Sequence, residues 1–132
     1  MVRKKNILII AALVYLLIGF SGLASASIEA IPDVYVTPRS QTVNADNWAE
    51  YDVYVQGQYD KYYMVEIWHD GYRVSTFYNF AGDYDSRHIQ DLWEGISAGT
   101  HTATFKLYQQ KAYNSMEKAS GLLASDSVTV KK

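Results

Sequence analysis

Three histidines, His69, His88 and His101, stand among Asp70, Asp83, Asp85 and Asp91, residue types that can hold a metal ion or move protons. Their spacing fits no zinc pattern, because no His-x-x-x-His pair exists to set two imidazoles on one helix face. Asp83, Asp85 and Asp91, with Glu94 behind them, offer oxygen ligands to Ca²⁺ but lack the central glycine and closing glutamate of the EF-hand loop. Solvated loop acids are the simpler reading, and no cofactor is expected. The chain has no cysteine, which removes thiolate metal sites and a cysteine nucleophile. No Gly-x-Ser-x-Gly elbow presents a serine. Glu66 and Glu94 can be nominated as a glycosidase pair, yet so small a chain has little volume for a cleft between two carboxylates. The expectation is therefore a protein that is not an enzyme.

Aromatic residues carry the stronger signal. After position 26 the chain holds Trp48, Trp68 and Trp93, eleven tyrosines and three phenylalanines, more than a domain of this size can bury. Flat rings stack on sugar faces and also anchor protein interfaces at low entropic cost. Alternation along the chain points Tyr51 and Phe105 inward and Tyr54, Tyr108 and Trp68 outward, while Tyr59, Tyr84 and Tyr113 fall in loops. The candidate binding residues are Trp68, Arg73, Tyr54, Tyr108, Trp93 and Tyr113. Trp93 has a second reading, as a cap on the core beneath a loop.

Elements must position these groups. Arg3, Lys4 and Lys5 precede an uncharged run from Ile7 to Phe20 and then Ala24-Ser25-Ala26, the arrangement of a secretory signal peptide over residues 1–26. The alternative is an uncleaved anchor at residues 7–26 with the domain outside. Removing residues 1–26 takes away three basic groups and no acid from a chain with 12 basic and 14 acidic residues, leaving a net charge of −5 on residues 27–132. That balance disfavours nucleic acid and acidic polymers as partners. Period-two alternation recurs between turn signals, and helical periodicity does not. Strands are expected at 33–37, resuming at 41–43 beyond Pro38, then at 49–56, 62–69, 72–77, 88–92, 100–108 and 125–130. Asp70-Gly71 marks a two-residue hairpin that pairs Trp68 with Arg73, Ile67 with Val74 and Glu66 with Ser75. One face then carries Val65, Ile67, Val74 and Thr76. The other, expected to be wet, carries Met64, Glu66, Trp68, Arg73, Ser75 and Phe77, with Arg73 able to stack on Trp68. Residues 79–87 read as turn, and residues 109–121 as a long loop of functional interest with room for one helical turn.

About seven short strands in some hundred residues are the arithmetic of an all-β, two-sheet antiparallel sandwich of immunoglobulin type. Gly99-Thr100-His101-Thr102-Ala103 resembles the approach to strand F of such domains, with His101 in the place of the corner tyrosine. Pro32-Asp33-Val34, Asp70-Gly71 and Ile96-Ser97-Ala98-Gly99-Thr100-His101-Thr102 together make residues 32–130 resemble the immunoglobulin-like extracellular modules of bacterial and archaeal surface proteins, especially the cell-adhesion-related type. The resemblance implies a non-enzymatic extracellular binding or adhesion module, with an extracellular protein or polysaccharide as partner. The rival readings are a carbohydrate-binding module that stacks sugars on surface Trp and Tyr, and a small secreted enzyme or inhibitor.

Overall fold

The computed structural model describes residues 31–132, and the expected signal segment, residues 1–26, lies outside them. Eight strands form, one more than expected: β1 (Asp33–Thr37), β2 (Ser40–Thr42), β3 (Trp48–Gln56), β4 (Tyr62–His69), β5 (Tyr72–Ala81), β6 (Asp85–Leu92), β7 (Thr100–Gln109) and β8 (Ala124–Lys131). Among the described residues there is no helix, so residues 109–121 contain no helical turn. Two sheets result, a three-stranded one in the order β1-β3-β6 and a five-stranded one in the order β2-β8-β7-β4-β5. Pro38 lies where the chain leaves the first sheet for the second. Its missing N–H suits that break, and both flanking strands are sheet edges.

The alternation expected for β3 is realised: Ala49, Tyr51, Val53 and Val55 are buried while Trp48, Glu50 and Asp52 are exposed. They meet Val65 and Ile67 of β4, Phe105 and Leu107 of β7, and Val128 and Val130 of β8 in one core. The Tyr51 and Phe105 rings touch edge to face, with centroids 4.9 Å apart. Two carboxylates tie the sheets together inside this layer. Asp126 of β8 accepts the Val36 N–H of edge strand β1 (2.9 Å) and takes two bonds from the Arg39 guanidinium. Asp91 of β6 accepts the Tyr51 hydroxyl (3.1 Å) and lies 2.7 Å from His69 Nε2 of β4.

The hairpin turn forms as expected, with Asp70 and Gly71 both at positive φ. Its register departs from expectation two residues on. His69 and Trp68 pair with Tyr72 and Arg73, but the ladder then slips, so that Ile67 pairs with Ser75, Glu66 with Thr76 and Val65 with Phe77. Val74 is the extra residue of a bulge, and because strand side chains alternate, one inserted residue exchanges the faces of everything after it. Phe77 therefore packs against the core, whereas Val74 is exposed. Residues 79–87 are also not one turn: β5 runs on to Ala81 and β6 begins at Asp85. Asn79, a turn signal by type, supplies positive φ at a second irregularity inside the strand.

Candidate functional site

The outer face of the five-stranded sheet gathers three of the candidate residues. Trp68 and Met64 of β4 pair with Thr104 and Tyr108 of β7, Arg73 of β5 pairs with Trp68, and Glu66 of β4 pairs with Lys106. Glu66 was expected on a wet face but is only 1% exposed. Trp68 Nε1 donates to its Oε1 (3.0 Å), and Arg73 Nη1 donates to Oε2 (3.3 Å). Lys118, from the 109–121 loop, places Nζ 2.8 Å from the same Oε2. Burial alone would raise the Glu66 pKa, but the bonds from Lys118, Trp68 and Arg73 outweigh it and hold the carboxyl below its ordinary value.

The cation on Trp68 is not Arg73, which is turned to Glu66. Lys106 Nζ sits 3.8 Å from the Trp68 ring centre, and Lys118 Nζ the same distance from that of Tyr108. Each ring thus has one face covered by an ammonium group. Arg73 and Lys118 pair with the one carboxylate and Lys106, opposite Glu66 in the ladder, sits on Trp68, so this face carries three cations to one acid on a domain that is acidic overall.

The other candidates lie elsewhere. Tyr54 is on the outer face of the opposite sheet, stacked with Tyr35 at 6.3 Å. Tyr113 is exposed at the tip of the 109–121 loop, its ring edge to face with Tyr62. Trp93 is 3% exposed, which fulfils the core-cap reading: its Nε1 donates to the Tyr51 hydroxyl (3.1 Å), and the His69 ring stacks on it at 3.6 Å, 7° from parallel. Burial pushes the Tyr51 hydroxyl far above the ordinary tyrosine range. The three aspartates weighed for Ca²⁺ are apart in their bonding. Asp83 is exposed, Asp85 accepts the Ala81 N–H, and Asp91 is buried on Tyr51. Among the described residues no three His, Asp or Glu side chains are grouped to hold a metal ion.

One arrangement has the outline of a Ser-His-Asp triad. His101 Nδ1 lies 2.6 Å from Asp70 Oδ2, and Ser97 Oγ lies 3.4 Å from His101 Nε2. The same Nε2 is 2.8 Å from the Ser97 carbonyl oxygen, which can only accept, so Nε2 carries a proton and cannot take one from the serine. Both ring nitrogens donate, to Asp70 and to the backbone four residues upstream, which is the corner role expected for His101. Asp70 and the Ser97 carbonyl raise the His101 pKa. His88, exposed between Asp52 and Glu50 at 3.0 Å from each, is raised likewise. A raised folded-state value contributes stability that is full below the unfolded pKa of 6.5 and is lost as pH rises through the folded one. The melting temperature should therefore fall as pH is raised from 6 to 8, as these groups lose their protons, and the fall should be smaller in His101→Gln. Parallel pH series of both proteins by circular dichroism check this, and equal slopes would refute it.

The strand order defines the class. The three-stranded sheet has the A-B-E order of an immunoglobulin-like sandwich, and β8-β7-β4-β5 the G-F-C-C′ order, with β2 added beside β8 and parallel to it, the one pair that departs from the expected antiparallel arrangement. No protein-family model matches the chain, and no curated protein does. Among solved structures it is similar to the CARDB domain of a Pyrococcus furiosus protein, crystallised in complex with di-metal ions, at 17% identity and a TM-score of 0.48 over 80% of this chain and 97% of that one. The solution structure of the same domain gives 17% identity and a TM-score of 0.45 over 76% and 96%.

Proposed function

We propose that the chain is a non-enzymatic extracellular binding module whose contact surface is the outer face of the five-stranded sheet, built from Trp68, Arg73 and Tyr108 with the 109–121 loop. The observation that carries this reading is the convergence of those side chains with Lys106 and Lys118 around buried Glu66. Such a face offers aromatic area together with a guanidinium fork and ammonium groups, which suits a partner protein that presents carboxylates. The net charge of −5, taken alone, argued against acidic partners; the local basic surplus argues for them here.

A sugar-stacking platform is less well served. It needs two open rings on one face, whereas a lysine covers each of Trp68 and Tyr108, and Tyr54 and Trp93 lie elsewhere. Retention of residues 27–132 on immobilised polyglutamate, beside depletion by insoluble neutral polysaccharides, separates the two. The expected result is retention that weakens as salt is raised and falls about tenfold or more in Arg73→Glu, since one charge reversal at an ion-pair contact is worth roughly 1–2 kcal/mol. Depletion by a neutral polysaccharide, lost in Trp68→Ala, would favour the carbohydrate reading instead.

A further inference from the structure

The registers place the chain's entry and its most apolar loops at the same end of the sandwich. Asp33 opens β1 opposite Gln56, Tyr62 pairs with Ala81, Val55 with Asp85, Tyr63 with Gln109, and Leu107 with Ala124. The turns at 57–61 and 82–84 and the loop at 109–123 therefore cluster where residue 31 arrives, and Gly57 N–H donating to Gly82 O (2.6 Å) joins the two turns. Among the described residues eleven large apolar side chains are exposed, and seven are at this end: Ile31, Tyr59, Tyr84, Tyr113, Met116, Leu122 and Leu123. Met116 is 73% exposed and Tyr113 59%. The opposite end and its edges show the other four. Surface apolar groups are common singly, but such a concentration marks a contact.

The sequence upstream says what lies within reach. Uncharged residues run from Asn6 to Ile28 behind Arg3, Lys4 and Lys5, a length that spans a bilayer and a charge pattern that leaves the C-terminal side outside. From Ala26 to Asp33 a fully extended chain reaches at most about 25 Å. A domain tethered so closely, with its apolar end toward the tether, has a lipid surface as its nearest apolar medium. Lys61, Lys111 and Lys118 at this end are balanced by Asp60, Asp83 and Glu117, so the contact does not depend on anionic lipid.

We propose that this end of the sandwich is a membrane-facing surface: residues 7–26 stay in the bilayer, and the loops bearing Tyr59, Tyr84, Tyr113, Met116 and Leu122 rest among the headgroups. Tyrosines suit that layer, apolar in body and polar at the tip. The surface adjoins the Trp68 face and shares the 109–121 loop with it: Lys118 reaches Glu66 on the sheet, whereas Tyr113 and Met116 are exposed at the loop's outer end, so the sheet face itself is turned sideways and open to a partner.

The test is hydrogen exchange of the full chain in phosphatidylcholine nanodiscs against residues 27–132 in solution. Exchange should slow in residues 57–61, 82–84 and 109–123 by about tenfold, the factor expected for sequestering one apolar side chain, and stay unchanged in residues 44–47, 70–71 and 93–99 at the far end. The full chain carrying Met116→Ser and Leu122→Ser, both solvent-exposed positions, should keep its melting temperature and lose the protection. Equal exchange in both settings, protection at the far end, or a natural product beginning at residue 27 and free in the medium would each overturn the proposal. So would protection in solution that arises from pairing of two copies through these loops.

Discussion

Replacing Asp126 by alanine is expected to cost about 2–4 kcal/mol, from the loss of a charge-assisted bond to a partly exposed guanidinium together with the stranding of a buried N–H. The substitution strands two groups at once: the Val36 N–H, which faces the interlayer from an edge strand, and the Arg39 guanidinium, whose other acceptors are the carbonyls of Val36 and Ser127. Asp126 is 4% exposed, so water cannot readily replace it. Asp126→Asn should lose less, because its amide oxygen can still accept from Val36. Urea denaturation of the three proteins gives the comparison, and a loss under about 1 kcal/mol in the alanine variant would mean that the two sheets are not tied at this point.

Replacing Glu66 by alanine should cost less overall, about 1–3 kcal/mol, because Arg73 and Lys118 are solvent-accessible and their attraction is screened. Its local effect is larger. Lys118 on Glu66 pins the 109–121 loop to the sheet, so hydrogen exchange at residues 115–120 should accelerate well beyond that at Phe105 or Ile67. The pH dependence has a definite sign. A carboxyl held below its ordinary pKa contributes stability that is present above the unfolded value and is lost as pH falls through the folded one. Acid should therefore loosen the loop in the native protein and change it little in Glu66→Ala.

The elements were legible wherever local pattern decides. Alternation at residues 49–56 and 100–108, the turn at Asp70-Gly71, the break at Pro38 and the corner at His101 all depend on residues near in sequence, and all form as read. The bulge at Val74 was not legible, since valine is an ordinary strand residue and nothing in its type marks it as the one left out of the ladder. That single residue reversed the expected faces of β5. Asn79 misled in another way: its tolerance of positive φ marks turns and strand irregularities alike.

The candidate site was legible only in part. The outward parity of Trp68, Arg73 and Tyr108 was legible because parity is a local property; that the three share one face is set by the pairing of β4 with β5 and β7. The burial of Glu66 was not, since it depends on Lys118, a residue far along the chain in a loop whose path no local pattern fixes. Trp93 and Tyr54 show the same limit. A ring's type says that it can bind, but which sheet face or core layer receives it is set by long-range pairing.

The most direct test of the binding face is a titration of isotopically labelled residues 27–132 with a short polyglutamate peptide, followed by nuclear magnetic resonance. The account predicts shifts at the Trp68 indole N–H and at the amides of Arg73, Lys106, Tyr108 and Lys118, with Tyr35, Tyr54 and His88 on the opposite sheet unmoved. Shifts confined to that opposite sheet, or none with the peptide in large excess, would contradict it.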